Sequence, residues 1–398
     1  TDDGTNDSHV TFQSDDTLRF EEYGGLSSIG KLQTTQKFRD VSAWYHIVLV
    51  YDSGNSTAGN RMRMYVNGTE VTSFGTDNNP SQNADSFFNK SGEPLHFGRT
   101  DYSGGGNYFG GYVAEVIMCD GQALDPTSFG EFDSDSPNIW KPIDVSGLTF
   151  GNNGFYLDFE DSGDLGDDES GNGNDFTETN LAATDQSTDT CTNNFATLNS
   201  LVKAPSSITF SEGNLKAVHP GSWTGVPATI GVQSGRWYWE VKATTGNSAN
   251  AFTGICIEDV NFNDSTVYDE TGLILYFVDG RKTVDGTDTE SFFSSLATND
   301  IVGVALDLDS GTKTVTFTKN GSASGSAVNL TSNFDNKFIF PVGIGNSSSA
   351  TANWEFNFGS PHYSISSGNS DGNGYGNFEY SVPSNHYSLN SKNLAEFG

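Results

Sequence analysis

The sequence is short of positive charge, sulfur and long apolar runs, and each shortage excludes something. Its 398 residues carry 19 Lys and Arg against 51 Asp and Glu, a formal charge of −32. A surface so poor in cations cannot displace phosphate counterions, which excludes nucleic-acid binding. The charge keeps the chain soluble. It also suits a medium rich in salt or divalent cations, where carboxylate repulsion is screened. The three cysteines, Cys119, Cys191 and Cys256, form no CxxC pair and no even framework, so neither disulfide stapling nor a zinc site is expected. Cys119 and Cys256 lie in apolar strand patterns and are expected in the core. No apolar run approaches the roughly 20 residues of a membrane helix, so membrane insertion is not expected. No signal peptide is visible and the first residue is Thr1. The expectation is a processed product or the ordered part of a longer polypeptide.

Long helical patterns are also scarce, while there are 46 Gly. That combination points to an all-β chain, long enough for two or three domains. The best-patterned stretch is 300–321. Val302, Val304, Leu306 and Leu308 alternate with Gly303, Ala305, Asp307 and Asp309. After a turn at Asp309, Ser310 and Gly311, Val315 and Phe317 alternate with Thr314, Thr316 and Thr318. Period-2 alternation marks strands with one face on a core. The stretch ends in Asn320-Gly321, residue types that accept the positive φ of a tight hairpin turn. Residues 44–71 repeat the plan: an apolar strand (47–51), a polar loop, an alternating strand and Asn67-Gly68. On that second strand Met62, Met64 and Val66 face one way, and Arg61, Arg63 and Tyr65 the other. Strand 47–51 is apolar on both faces and reads as a central strand. Further strands are expected at 9–13, 17–23, 95–99 and 108–120, and one helical turn at 125–132, where Pro126 follows Asp125.

Two resemblances rest on these residues. WYHIVLVYD, a polar loop, RMRMYVNG and GGYVAEVIMCDGQAL, within 1–140, resemble the laminin-G/concanavalin A-like family. Residues 1–40 supply few of the opening strands that such a sandwich implies, so either earlier strands or a neighbouring chain would complete the sheet. GRWYWEV (235–241), the strand from Gly254, VGVALDLDSGTKTVTFTKNG, Phe340-Pro341 and NFG (357–359) resemble a SPRY (B30.2-like) domain, in that family's order and spacing. SPRY is itself a concanavalin-like sandwich and a binding module without a shared catalytic residue. The resemblance implies an all-β chain of two concanavalin A-like antiparallel β-sandwiches of jelly-roll type, joined by a Gly/Asp/Asn-rich linker. The expected divisions are 1–147 for the laminin-G-like sandwich, 148–200 for an acidic linker with one strand, 201–362 for the SPRY-like sandwich, and 363–398 for a Gly/Asn/Ser/Tyr tail with little core potential.

Concanavalin-like folds also host glycosidases, which need paired carboxylates on one sheet face. The Glu-x-Asp-x-x-Glu arrangement is missing: Glu115 is followed by Ile117 and Glu240 by Lys242 where Asp should stand. Asp158 and Glu160 share a face without a third carboxylate at the required offset. The six histidines show no metal spacing. No nucleophile elbow or P-loop is present, GGGNYFGG (104–111) lacking the Lys and the helix that follow a P-loop. No enzyme is therefore expected. Asp161, Asp164, Asp167 and Asp168 offer oxygen ligands for calcium without the EF-hand spacing, and no other cofactor is implied.

Two loops, 101–111 (DYSGGGNYFGG) and 371–380 (DGNGYGNFEY), have the Tyr, Gly and Asn composition of recognition surfaces. Their candidate ligand-binding residues are Asp101, Tyr102, Asn107, Tyr108, Phe109, Tyr375 and Phe378. In the SPRY-like region the candidate rim is 259–268. The domain order, together with the tail VPSNHYSLNSKNLAEFG, resembles bacteriophage tail-fibre or virion-appendage proteins of the marine type. That implies a non-enzymatic, extracellular virion component that attaches to a host-surface glycan or protein. Its partners would be other virion proteins and copies of itself, a trimer being favoured by the likeness to fibres. The alternatives are a structural connector without receptor role and a secreted glycan-binding protein of a marine bacterium.

Overall fold

The computed structural model describes residues 5–398 except 26, 42, 89, 101–106, 135–136, 203–207, 245–249, 263, 265 and 347–352. It is almost entirely antiparallel β-sheet and divides into two compact units, Thr1–Ala182 and Ala183–Gly398. Among the described residues no helix is long and apolar enough to cross a membrane.

In the first unit, strands Asp7–Phe12, Leu18–Gly24, Ser27–Thr34 and Phe74–Asn78 form a four-stranded sheet in that order. Ile47–Tyr51, Met62–Val66 and Thr69–Glu70 form a three-stranded sheet. Alternation puts Leu18, Phe20 and Leu32 of the first sheet against Met62 and Met64 of the second, all buried. Each such side chain contributes about 1.5–3 kcal/mol of hydrophobic stabilisation. Ile47–Tyr51 is covered on both faces, as its composition requires, because Val48 and Val50 pack with Tyr65 under Phe129. It is nevertheless an edge strand of its sheet rather than a central one.

The expected long strand at 108–120 is short. Apart from Tyr108, only Val116–Met118 lies in a strand, paired with Phe155–Leu157. Glu115 at φ 52 breaks the run, because a positive φ cannot continue a pleat. The strand expected at 95–99 is replaced by the two-residue pair of Arg99–Thr100 with Asn107–Tyr108. The turn at Asp125 forms as read: Pro126–Ser128 is a single 3-10 turn whose cap Asp125 accepts from the Thr127 amide. Cys256 is buried, whereas Cys119 is only half-buried and Cys191 is exposed.

The second unit is a two-sheet sandwich. One sheet runs Thr209–Ser211, Lys216–Val218, Asn353–Asn357, Arg236–Ala243, Ile301–Asp307, Thr314–Lys319, Ser322–Ala323. The other runs Thr224–Pro227, Ile339–Gly345, Ala251–Ile257, Leu273–Phe277, Lys282–Val284, Thr287–Thr289. Trp237, Trp239, Val304, Phe317, Trp354 and Phe356 from the first sheet join Phe252, Ile255, Leu275 and Ile344 from the second in one buried core.

The repeat visible in the sequence extends to hydrogen bonds. The Asn67 side chain accepts from the His46 amide (2.8 Å) while the Asn67 amide bonds the His46 carbonyl (2.8 Å). Asn320 does the same to Ile301 (2.9 and 2.8 Å). Both turns have positive φ at Asn and Gly. Each Gly also lies against an aromatic ring from far downstream, Trp140 over Gly68 and Tyr380 over Gly321.

The stretch read as a tail of little core potential is instead built into the second unit. Leu389 and Phe378 are fully buried. Tyr387–Ser388 adds a parallel strand beside Trp237 and Tyr238. It occupies the side of Arg236–Ala243 that Asn353–Asn357 leaves unpaired, since that strand reaches only Glu240 to Ala243. Asn390 caps the short helix Ser391–Phe397 by accepting from the Asn393 amide. Part of the stretch read as linker joins it. Phe195 bridges Asn390, the Ala196 amide bonds the Leu389 carbonyl, and Ala196 and Leu198 enter the core. The segment appears coreless in sequence because its apolar residues are few and aperiodic. Asn, Ser and Asp side chains satisfy the backbone instead.

Candidate functional site

Loop 101–111 has the Tyr, Asn and Gly content of a recognition surface. Asp101 and Tyr102 lie outside the described residues. Asn107, Tyr108 and Phe109 are all exposed, Tyr108 at 71% and Phe109 at 46%. Tyr108 stands opposite Arg99 in the short ladder, and the Phe109 amide bonds the Gly98 carbonyl (2.7 Å).

Phe109, next to Tyr108, belongs to an aromatic cluster assembled from four chain segments. Phe109 contacts Phe12 (6.3 Å between centroids), Phe12 meets Phe38 edge-on (5.5 Å), and Phe38 meets Tyr45 edge-on (5.1 Å). Trp44 stacks on Tyr112 (6.5 Å). Phe12 is 43% exposed, and with Val10 it lies on the same face as buried Phe20 and Leu18, its ladder partners. Because Asp7–Phe12 is the edge strand, its apolar face runs past the core. Phe12, Phe38 and Tyr45 were not singled out in the sequence. The one available signal was Phe12, placed by alternation on the apolar face of a terminal strand.

The turn beside the rings is fixed by charge. The Asp15 carboxylate accepts from the Thr17 amide and hydroxyl, and Lys37 reaches its other oxygen (3.1 Å). Arg39 bonds Asp16 (2.7 Å), and the Phe38 amide bonds the Asp16 carbonyl (2.8 Å). The Thr17 and Lys37 hydrogen bonds hold the Asp15 carboxyl down at about 2. Two ion pairs thus clamp the segment carrying Phe38 onto the turn that follows Phe12.

Loop 371–380 is a different structure from the surface its composition suggested. Phe378 is fully buried against Tyr238 (5.1 Å), so it presents no contact face. Tyr375 is half-buried, its amide on the Asp371 carboxylate and the Lys392 ammonium 5.4 Å from its ring centroid. Glu240, one of the carboxylates weighed for catalysis, is fully buried beneath this loop. It accepts from the Glu379 amide (2.9 Å), the Tyr380 amide (2.8 Å), the Tyr238 hydroxyl (3.1 Å) and Asn357 (3.4 Å). Burial pushes its pKa up while the donors pull it back. A carboxylate enclosed in this way anchors chain rather than meeting substrate.

The acidic loop offers no assembled ion cage. Asp168 spends its oxygens on the amides of Tyr156, Ser170 and Asn174 and on the Ser170 hydroxyl. Burial alone would raise its pKa, yet these donors lower it. Asp161 accepts from the Gly163 amide (2.7 Å). Beside Asp164, burial and the neighbouring Glu178 raise the carboxyl's pKa. Among the described residues, Asp167 included, no three His, Cys, Asp or Glu side chains are grouped to hold a metal.

In the second unit the rim suspected at 259–268 borders a depression of about 330 Å³. Its apolar lining includes Val202, Pro227, Ile257, Val260, Phe262 and Phe340, with Asn199, Glu258 and Asn261 as polar groups. Phe262 packs on Gly225, and Tyr268 stacks on Phe252 (5.6 Å) and meets Trp223 at a tilt (4.5 Å), which pins both ends of the loop. Glu258 accepts from the Phe338 amide (2.7 Å), and Phe338 and Leu201 are exposed.

Comparison with known proteins agrees with these folds. Residues 1–127 match the family model of the concanavalin A-like lectin/glucanases superfamily (Laminin_G_3), and residues 236–361 match that of the SPRY domain. Among solved structures, the SPRY domain of human HERC1 is similar at 20% identity, over 39% of this chain and 90% of that one, with a TM-score of 0.30. Stonustoxin is similar at 19% identity, over 41% of this chain and 27% of that one, with a TM-score of 0.32. No curated protein matches the sequence. The chain carries a concanavalin A-like domain of the laminin-G type followed by a SPRY domain, two folds that typically serve binding rather than catalysis.

Proposed function

We propose that the protein is a non-enzymatic attachment protein whose first unit binds glycan on the aromatic surface around Phe12, Phe38, Tyr108 and Phe109. The observation that carries this reading is the exposure of Phe12, Tyr108 and Phe109, with Phe38 half-buried between Phe12 and the core. Solvent-facing Tyr and Phe offer flat apolar area at little entropic cost, and sugar rings stack on such faces. Asn107 and the nearby carboxylates supply hydrogen-bond partners for hydroxyl groups. The setting we propose is a bacteriophage tail fibre or virion appendage, in which copies of the chain, a trimer being favoured, multiply weak single contacts into firm adhesion. The test is a glycan array probed with the intact chain and with Tyr108→Ala. Retention of native chain on specific glycans, lost in the variant, supports the reading. Release of reducing ends from a bound polysaccharide would make the protein an enzyme and overturn it.

A second reading is favoured by the depression beside Phe338 and Leu201. Its apolar lining suits a side chain of a protein neighbour, which would make the SPRY unit the virion-facing part. Loss of particle incorporation in Phe338→Ser, with glycan binding intact, supports that division.

A further inference from the structure

We infer that the aromatic surface of the first unit takes uncharged sugars and turns away acidic polysaccharides. This rests on the glycan-binding reading above and adds the ligand class. Three observations carry it. First, Lys37 and Arg39, the cations flanking Phe38, are engaged by Asp15 and Asp16. Lys37 also bonds the Asp15 carbonyl (2.6 Å). An anionic sugar would have to compete with Asp15 and Asp16 for these cations. Arg99, across the ladder from Tyr108, reaches His96 (3.5 Å). Second, Asp15 follows Phe12 by three residues, and its carboxyl is held down at about 2, so it stays charged throughout the neutral and mildly acidic range. Third, the chain's net charge of −32 gives it an overall field that repels anions. That field acts on carboxylated or sulfated ligands and leaves neutral ones untouched. Ring faces and carboxylates together match a sugar with apolar C–H faces and free hydroxyls.

The experiment is titration of the intact chain with cellohexaose and N-acetylchitohexaose, and with alginate and sulfated galactan oligosaccharides of similar length, at 10 mM and 500 mM NaCl. A screening length of roughly 30 Å at the lower salt lets the whole field act, and one of only a few ångströms at the higher salt removes it. The expected result is binding of at least one neutral hexaose, its affinity changing by less than about twofold with salt. The acidic oligosaccharides should show no binding at low salt. Phe12→Ala and Tyr108→Ala, both at exposed positions, should weaken neutral binding about tenfold or more with unchanged melting temperature. An acidic ligand that binds more tightly at low salt overturns the ligand class while sparing the glycan reading. Failure of every ligand at both salts overturns the glycan reading itself. A third outcome also counts against the site: the variants turning an oligomer into monomers with glycan binding intact, which would make the rings a contact between copies.

Discussion

Glu240 is the residue on which the second unit's outer surface closes. Its four donors come from three parts of the chain: Tyr238 on its own strand, Asn357 on the neighbouring strand, and the amides of Glu379 and Tyr380. Removing the acceptor strands those buried amides, so Glu240→Ala should lower the stability of the second unit by about 3 kcal/mol. Urea denaturation measures it, and a loss below about 0.5 kcal/mol would show that the clamp is incidental. His219 gives a pH-dependent counterpart. It is buried, with Nδ1 on the Thr224 hydroxyl (2.8 Å) and Nε2 without a partner, and burial pushes its pKa down to about 4. The unfolded chain protonates this residue near 6.5. Between those values the unfolded state binds the extra proton, so stability falls as pH drops from about 6.5 to about 4, by at most about 1.4 kcal/mol per pH unit. His219→Gln should remove that share of the acid sensitivity. Identical pH profiles for the two proteins would contradict the assignment. None of this was legible from the residues alone. Glu240 was visible as a carboxylate on a strand, but three of its four donors lie more than a hundred positions downstream.

At the scale of elements, the hairpins were legible and the polar segments were not. Strands 302–308 and 315–317 announce themselves by alternation, and the Asn-Gly turns by their tolerance of positive φ. What alternation could not show is the ring above each glycine. A Cβ on Gly68 would lie 2.3 Å from the Trp140 ring, at a φ of +74. Gly68→Ala should therefore cost about 1–3 kcal/mol, through backbone strain and displacement of Trp140, read as a drop in melting temperature of the first unit. An unchanged transition would mean that Trp140 moves aside freely. Alternation also placed Phe12 on an apolar face without showing that the face outruns its covering sheet. That excess became visible only when a four-stranded sheet was set against a three-stranded one. The 371–380 loop misled for a related reason. Tyr, Gly and Asn build recognition loops and polar clasps alike, and only the position of Glu240 beneath Phe378 and its neighbours separates the two.

For the whole molecule, two units of related plan use their chain ends differently. The second unit is held closed by 189–200 and 369–397, beyond the span that matches the SPRY family model. A fragment of 183–398 should unfold cooperatively, whereas 201–362, the bounds suggested by sequence, should aggregate or expose its tryptophans. Calorimetry and tryptophan fluorescence of the two fragments check this, and a stable 201–362 would show the clasp to be dispensable. The first unit keeps its aromatic edge in the open, and the proposed role of the protein depends on that exposure. The most direct test is neutral-oligosaccharide binding by the intact chain and by Tyr108→Ala at equal foldedness. The expected result is saturable binding without sugar cleavage, weakened about tenfold in the variant. Equal affinity of the two proteins, or no binding by either, would contradict it.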